Sequence, residues 1–285
     1  MQTASLILEG GANRGIFTAG VLDVLMEKEL YMSHVIGVSA GACNAINYVA
    51  RQIGRTGECM IHTEKEYNYY NGLRSWFKQK SVLDMEMIFD SYPNKLIPFD
   101  YNTYFDSSIQ CELVTTNCNT GMGDYMQEKT DRDRLMQICR ASSSMPLAAP
   151  IVNIDGIPYL DGGLADSIPL KRVVGYGNDK IVLILTRNYG YRKARLSRGM
   201  VKLYKNQYSK YPNLLKTILR RNQVYNKTME AIERYELEGR IYVIRPQIKT
   251  ISRLEKREPV LSEFYQHGYQ EMTERYDNLV NYLKH

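Results

Sequence analysis

The chain has 285 residues and a mass of 33.0 kDa, with 44% hydrophobic and 24% charged residues, so it can bury one large core and has the composition of a globular protein. It contains no apolar run near the ~18 residues that a membrane-spanning helix needs. Its N-terminus lacks the basic start, long apolar stretch and cleavage site of a secretory signal. We therefore expect a cytoplasmic protein, whose attachment to a membrane, if any, is peripheral.

Cysteine and histidine usage excludes disulfide scaffolds and ordinary metal sites. The cysteines are odd in number and have no CxxC spacing, which is typical of reduced, mostly buried thiols. The four histidines are scattered without ligand spacing, so we predict no metal and no cofactor. Cys43 lies one helical turn after Ser39, so its thiol is a possible nucleophile. We favour the interpretation that Cys43 is a small core residue. The five cysteines are Cys43, Cys59, Cys111, Cys118 and Cys139.

The first fifty residues predict alternating strands and helices. Residues 6–8 form a short apolar strand, and residues 16–25 repeat apolar positions with helical spacing. A second apolar strand at residues 35–38 leads into a helix over residues 40–50. Strands and helices that alternate in this way indicate a mainly parallel sheet covered by helices, and hence an α/β fold.

The rest of the chain continues this pattern. Residues 56–106 are rich in aromatic side chains and predict helices over one face of the sheet. We find no internal repeat or linker, so we predict one domain over residues 1–285, with a core at about residues 4–187 and a basic, helical C-terminal extension, residues 188–285, packed on it. The remaining predicted elements are strands at 110–116, 180–187 and 240–245, a hairpin at 151–160, and helices at 131–143 and 261–283.

The sequence Gly37-Val38-Ser39-Ala40-Gly41 matches the G-x-S-x-G nucleophile elbow, in which a strand turns sharply into a helix. Glycines on either side of Ser39 are needed because side chains there would collide with the neighbouring strand and helix. The turn exposes the serine hydroxyl beside a helix N-terminus, which favours negative charge. The alternative is that Ser39 merely caps a helix, but its position at a predicted strand-to-helix junction favours a nucleophile.

A glycine-rich loop, Glu9-Gly10-Gly11-Ala12-Asn13-Arg14-Gly15, also connects a strand to a helix. It fits neither the dinucleotide fingerprint nor the P-loop, because the glycine register and the Gly-Lys-Ser/Thr ending are absent. Consecutive N–H groups in such a loop can instead hold the oxyanion of acyl transfer. We predict an oxyanion hole made by Gly10, Gly11, Ala12, Arg14 and Gly15, in which Arg14 braces the loop or adds positive potential.

A carboxylate candidate, Asp161, opens the sequence Asp161-Gly162-Gly163 after the predicted hairpin. By itself, Asp-Gly is a common turn sequence. A serine nucleophile needs a base, however, and no histidine follows a strand end. His267 has the chain order of a Ser-Asp-His triad but lies within a predicted helix, and His34 begins its strand and so belongs at the opposite end of the sheet. Burial beside Ser39 could make Asp161 a competent base by raising its pKa.

The three motifs together resemble those of the patatin-like phospholipase family, over roughly residues 4–187. The segments Arg140-Ala141-Ser142-Ser143-Ser144-Met145-Pro146 and Ile168-Pro169 also resemble this family. The resemblance implies a three-layer α/β/α sandwich, a Ser39–Asp161 dyad without histidine, and hydrolysis of lipid acyl esters without calcium. Ala12 departs from the family pattern, since a third glycine usually stands there.

The basic residues are unevenly distributed along the chain. Residues 180–229 carry thirteen Lys or Arg and no Asp or Glu, whereas the rest of the chain has 24 basic and 31 acidic residues. Three interpretations remain open for this segment: a solvated helical face, a surface that contacts an anionic membrane, or a nucleic-acid-binding surface. The last is disfavoured because no recognition module is present.

The sequence therefore predicts a serine acyl hydrolase that acts on lipid esters, of the phospholipase A or lysophospholipase type. One alternative is a general carboxylesterase or acyltransferase with a Ser39–Asp161–His267 triad. The other is a non-catalytic protein that binds lipid or membrane and keeps the elbow as a relic. The head group and acyl length of a substrate are not specified by any motif.

Overall fold

The computed structural model describes residues 1–62, 64–70 and 81–285 of the chain. Its centre is an eight-stranded sheet in the order β5-β6-β3-β2-β1-β7-β8, with β4 paired to β3 beside that path. The strands are β1 (Gln2–Leu8), β2 (Met32–Val38), β3 (Gln110–Asn117), β4 (Gly123–Met126), β5 (Val152–Ile154), β6 (Ile157–Asp161), β7 (Lys180–Ile184) and β8 (Tyr242–Ile244). Strands β3, β2, β1, β7 and β8 run parallel, and β4 and β6 pair antiparallel to β3.

Helices cover both faces of this sheet. They are α1 (Gly15–Glu27), α2 (Ala40–Val49), α3 (Arg55–Met60), α4 (Tyr101–Asp106), α5 (Arg132–Ser142), α6 (Leu170–Val174), α7 (Arg198–Gln207), α8 (Pro212–Leu237) and α9 (Glu258–Lys284), with a π-helix at Met87–Leu96. Short 3₁₀ turns occupy Ala12–Arg14, Lys65–Tyr67 and Gly162–Leu164. None of the helices in these described ranges is both long and apolar enough to cross a membrane.

Side chains alternate between two apolar layers, as expected of a sheet buried on both faces. On β1, Leu6 and Leu8 join the core formed with α1, α2, α5 and α9. Ile7 points the other way, into a second core with α6 and α8. The predicted three-layer α/β/α architecture is confirmed.

The strand register places the predicted site residues at one edge of the sheet. Val38, the last residue of β2, is level with Val114 of β3. The next residue, Thr115, pairs with Asp161 at the end of the antiparallel strand β6. Ser39 and Asp161 therefore reach the same edge of the sheet although 122 positions separate them.

Most of the predicted elements are confirmed. The hairpin turns at Asp155 and Gly156, whose φ angles of 51° and 80° suit a tight two-residue turn. The aromatic-rich residues 56–106 contribute Phe89, Phe99 and Tyr104 to the core beside α1 and α2, while residues 63 and 71–80 of that prediction lie outside the described residues.

Strand β4 and the short helix α6 were not predicted, and the helix expected within residues 56–106 has the π form at Met87–Leu96. Strand β4 begins at Gly123, within the sequence Gly121-Met122-Gly123 that has the composition of a turn, and the strand is only half-buried. The π-helix contains Pro93, a residue that ordinarily interrupts helices.

Candidate active site

The Ser39 turn has the geometry of a nucleophile elbow. Ser39 lies between β2 and α2 with φ 56° and ψ −124°, a strained conformation for a residue with a side chain. A methyl group at Gly41 would lie 2.3 Å from the carbonyl oxygen of Leu8, and one at Gly37 would lie 2.3 Å from the carbonyl oxygen of Gly41. The backbone segments on either side of Ser39 therefore approach too closely for any residue except glycine.

The end of α5 and the residues after it link the elbow to the carboxylate. The backbone N–H of Ser39 donates to Ser142 Oγ at 2.9 Å, and the Ser142 hydroxyl donates to the carbonyl of Val114 at 2.6 Å. Two residues further, the Ser144 carbonyl accepts from the backbone N–H of Asp161 at 2.9 Å. The serines of this segment thus fix the backbones of Ser39 and Asp161 relative to each other.

Asp161 is 3% exposed, and its surroundings disfavour the ionised form. Its Oδ1 accepts from the backbone N–H of Gly163 at 2.7 Å. Burial raises the pKa of the Asp161 carboxyl above its ordinary value, and this effect exceeds the opposing influence of the Arg221 charge, the hydrogen bond from Ser39 and the Gly163 N–H. A carboxyl with a raised pKa beside a serine hydroxyl suits proton acceptance.

The glycine-rich loop presents three consecutive backbone N–H groups. Within the described part of the chain, the N–H groups of Gly10, Gly11 and Ala12 donate to no backbone or side-chain acceptor. Ala12 has φ 49°, in the left-handed region that glycine favours. The loop therefore keeps a glycine-like backbone at the position where this chain carries alanine.

Hydrogen bonds from buried side chains fix the glycine-rich loop in place. The Glu9 carboxylate accepts from the Thr186 N–H at 2.7 Å and from the Tyr225 hydroxyl at 2.9 Å, and Thr186 Oγ1 lies 3.1 Å from the Gly10 carbonyl. The C-terminal segment holds the far end of the loop, because the Asn13 N–H donates to the carbonyl of Arg253 at 3.2 Å. Elements distant in sequence thus fix the N–H groups beside Ser39.

Gly15 has a different position from the rest of the predicted oxyanion loop. It begins α1, and a methyl group there would lie 2.9 Å from Cβ of Ala40. Its carbonyl accepts from Asn44 Nδ2 at 3.0 Å. Gly15 therefore serves the close packing of α1 on α2, while Gly10, Gly11, Ala12 and Arg14 line the pocket that contains Ser39.

Ser39 lies at the boundary of two cavities. One has a volume of about 320 Å³ and is bordered mainly by apolar side chains, among them Ile46, Leu83 and Phe89. The other, about 30 Å³, contains Asp161 and the glycine-rich loop. A side chain on this boundary can reach a molecule that has an apolar part in the first cavity and a polar part in the second.

The smaller cavity is strongly basic, which the sequence did not predict beyond Arg14. Arg14 is 3% exposed, and burial together with the Arg187 and Arg253 charges lowers its pKa to about 10. Burial and the Arg221 charge lower the pKa of Lys193 to about 6. The basic side chains that line the cavity are Arg14, Arg187, Lys193, Arg221 and Arg253.

No histidine among the described residues lines either cavity. His267 packs against Phe17, and its Nε2 accepts from the backbone N–H of Gln247 at 2.9 Å. His34 is buried at the start of β2, where it interacts with Glu112 at 3.3 Å, and this confirms its predicted position far from Ser39. The Ser39–Asp161–His267 triad is therefore not assembled in this structure.

Cys43 borders the apolar cavity, and burial raises the pKa of its thiol, which favours the unreactive protonated form. Across the described ranges, no cluster of three or more His, Cys, Asp or Glu could hold a metal ion.

Comparison with protein families gives two matches. The model of the patatin-like phospholipase family matches residues 6–174. A model of a domain of unknown function, DUF6363, matches residues 211–284. The first range includes Ser39, Asp161 and the glycine-rich loop, and the second includes Arg221 and Arg253.

Individual relatives cover this chain to different extents. The uncharacterised protein YjjU of Escherichia coli K12 is 29% identical over 189 residues, which are 64% of this chain and 51% of the relative. Human patatin-like phospholipase domain-containing protein 2 is 24% identical over 178 residues, 59% of this chain and 34% of the relative. Lysophospholipase NTE1 of Kluyveromyces lactis is 22% identical over 277 residues, 94% of this chain and 19% of the relative.

Among solved structures, VipD from Legionella pneumophila is similar with a TM-score of 0.46 and 12% identity, over 97% of this chain and 67% of that one. The chain spans about half the length, or less, of the three curated relatives named above. The match to the family model extends over more than half of the sequence, and the chain therefore belongs to the patatin-like phospholipase family.

Proposed function

We propose that this protein hydrolyses lipid acyl esters, with Ser39 as the nucleophile and Asp161 as its general base. The observation that carries the proposal is the position of Ser39, on a strained elbow between an apolar cavity and a pocket that contains a buried carboxylate. The names of two relatives, a phospholipase domain-containing protein and a lysophospholipase, support a lipid ester as substrate.

In the acylation step, Asp161 accepts the hydroxyl proton of Ser39 while Oγ forms a bond to the ester carbonyl carbon. The carbonyl oxygen becomes an oxyanion, which the N–H groups of Gly10, Gly11 and Ala12 stabilise. Each such donor contributes ~2.7–4 kcal/mol in the transition state. The bond to the leaving alcohol then breaks, and that alcohol takes the proton from Asp161.

The deacylation step repeats this proton transfer with water. Asp161 accepts a proton from water as its oxygen attacks the acyl carbon, and Ser39 regains its proton when the acid leaves. The apolar cavity of about 320 Å³ is within the size range of small-molecule sites and suits the acyl chain.

Fluorophosphonate labelling tests the nucleophile. The folded wild-type protein should be labelled at Ser39, and Ser39→Ala should abolish both labelling and ester hydrolysis. Asp161→Asn should lower kcat by about 10²–10⁴-fold, because the variant lacks the base.

His267→Ala is the control for a catalytic triad. This variant should keep wild-type activity, because the His267 ring accepts a hydrogen bond from the Gln247 N–H outside the site. A folded wild-type protein that binds lipid but is not labelled at Ser39 would contradict the proposal and favour a non-catalytic lipid-binding protein.

A further inference from the structure

The basic pocket beside Ser39 is assembled from four separate parts of the chain. Arg14 comes from the glycine-rich loop and Arg187 follows β7. Lys193 lies between β7 and α7, Arg221 lies on α8, and Arg253 precedes α9. Their convergence on one cavity next to the predicted nucleophile is a property of the tertiary fold and of no single motif.

Among the described residues, none of these five basic side chains forms a salt bridge with a carboxylate. In the described part of the chain, the arginines that form salt bridges with carboxylates are others, such as Arg172 with Glu112 and Arg192 with Glu233. Of the two carboxylates in the pocket, Glu9 is already hydrogen-bonded to Thr186 and Tyr225. The other, Asp161, is needed as a base.

Two buried nitrogen atoms in the pocket also lack acceptors. Nε of Arg14 and Nε of Arg221 form no hydrogen bond with any described residue. A buried donor without a partner costs about 1–3 kcal/mol, more if it is charged, so such groups in a cavity indicate a ligand that supplies the acceptors.

The pKa values agree with this crowding of like charges. Burial is the largest cause that lowers the pKa of Arg14 and Lys193, and neighbouring arginines lower both further. A bound anion would relieve both effects, because it stabilises the protonated forms.

We propose that the basic pocket binds a phosphate group of the substrate, next to the ester that Ser39 attacks. This inference depends on the proposed function and deepens it, since it assigns the class of substrate: a lipid whose anionic head group lies close to the scissile ester. The acyl chain occupies the apolar cavity of about 320 Å³, and the phosphate lies among the basic side chains of the smaller cavity.

The C-terminal part of the chain therefore determines head-group selection. Arg221 and Arg253 lie within the stretch that matches a domain of unknown function. Arg221 also approaches Asp161, because a methyl group at Gly163 would lie 3.5 Å from Nη2 of Arg221 and 3.0 Å from Oδ1 of Asp161. A phosphate held there lies beside the reacting groups.

The test compares two esters with the same acyl chain: 1-decanoylglycerol 3-phosphate and uncharged 1-decanoylglycerol. For the wild-type protein, we expect kcat/KM to be at least tenfold higher for the phosphate ester, which corresponds to ~1.4 kcal/mol. Arg221→Gln and Arg253→Gln should each lower this ratio about tenfold or more, and Arg221→Lys should restore part of it.

Arg220→Gln is the matched control, since Arg220 is the adjacent residue on α8 and is exposed to solvent. It should leave both rates and their ratio unchanged. Thermal unfolding of each variant shows whether it is folded, and Arg253→Gln provides a second variant from another segment.

The preference for a phosphate group can also be measured by binding, without turnover. Calorimetry with the Ser39→Ala protein should detect sn-glycerol 3-phosphate but not glycerol, and Arg221→Gln in that background should weaken the binding about tenfold or more. Equal kcat/KM for the two esters, or equal effects of Arg221→Gln and Arg220→Gln on the ratio, would overturn the inference.

Three outcomes separate the sources of failure. If glycerol phosphate or inorganic phosphate binds but the phosphate lipid is not preferred, the pocket holds a free anion and the head-group assignment is wrong. If both esters are hydrolysed at equal rates with Ser39 labelled, only this inference fails. If Ser39 is not labelled and neither ester is cleaved, the proposed function fails as well.

Discussion

A buried aspartate can act as a base only if its environment balances two opposite requirements. It must be ionised at the working pH, yet basic enough to take a proton from a serine. In this site, burial raises the pKa of Asp161, while the charge of Arg221 and then the hydrogen bond from Ser39 lower it, and Arg253 contributes in the same direction. The cations proposed to bind the substrate phosphate therefore also limit the rise in the pKa of Asp161.

The pH dependence of hydrolysis tests this balance. An ionised base is lost as pH falls, so kcat/KM for 1-decanoylglycerol should decrease through the pKa of Asp161, above the value of ~3.9 for an ordinary aspartate. Arg253→Gln removes a charge that lowers this pKa, and should move the acidic limb to higher pH. Initial rates between pH 4 and 8 measure the shift, and an unmoved limb would contradict the assignment.

Lys193 also titrates within the pH range of these rate measurements and needs its own control. Its pKa of about 6 means that it gains a proton as pH falls, and its surroundings include Arg221, Glu9, Arg253 and Asp161. Protonated Lys193 favours ionised Asp161, so Lys193→Met should leave the acidic limb present and shift it to higher pH. A limb that disappears in Lys193→Met would belong to the lysine.

At the scale of elements, the basic segment 180–229 divides into two groups of side chains. Arg187, Lys193 and Arg221 face the pocket. The other side chains lie on the outside. Helix α7 has no buried residue, and even its Leu203 is 48% exposed. The exposed lysines of α7 and the following turn, Lys202, Lys205 and Lys210, remain available to contact an anionic membrane surface.

Vesicle sedimentation tests that contact. Each lysine near an anionic surface contributes about 1 kcal/mol, so replacement of Lys202, Lys205 and Lys210 by glutamine should weaken binding to vesicles with anionic lipid by up to about 100-fold. Because these residues lie outside the site, hydrolysis of 1-decanoylglycerol should not change.

Wild-type binding should also weaken as salt increases, since screening acts on exposed charges. Equal binding of the triple variant and the wild type would favour the interpretation of a solvated helical face.

The elements that could be predicted are those with a local signal. The elbow, the glycine-rich loop and Asp161 each combine a short motif with a predicted strand end, and the register of the mixed sheet brings them together. The basic pocket has no such signal, because Lys193, Arg221 and Arg253 look like other surface cations until tertiary contacts turn them inward. The charge run was visible in the sequence, but which of its members are buried was not.

At the scale of the whole molecule, α9 is part of the core and not an appendage. Its residues Leu261, Phe264 and Met272 are buried in the same apolar cluster as α1 and β1. The two helices approach so closely that a methyl group at Gly268 would lie 2.1 Å from the carbonyl oxygen of Phe17. The segment before α9 also holds the glycine-rich loop, through the hydrogen bond from the Asn13 N–H to the Arg253 carbonyl. The N-terminal and C-terminal parts of the chain therefore contribute to the same site.

Gly268→Ala tests whether the close packing of α9 against α1 stabilises the whole chain. Alanine normally stabilises a helix by up to ~1 kcal/mol relative to glycine, but here its methyl group meets backbone that cannot move freely. We expect the free energy of unfolding to fall by about 1–3 kcal/mol, as for other overpacked cores, in urea titrations followed by circular dichroism.

Gly199→Ala on α7 is the matched control, because no atom lies within 4 Å of the added methyl group, and it should be neutral or slightly stabilising. If residues 1–285 are one domain, loss of esterase activity should coincide with loss of helix in both variants, since the site needs α9 in place. Separate midpoints, with activity retained after α9 has unfolded, would show that the C-terminal segment folds independently and that the basic pocket is not required for hydrolysis.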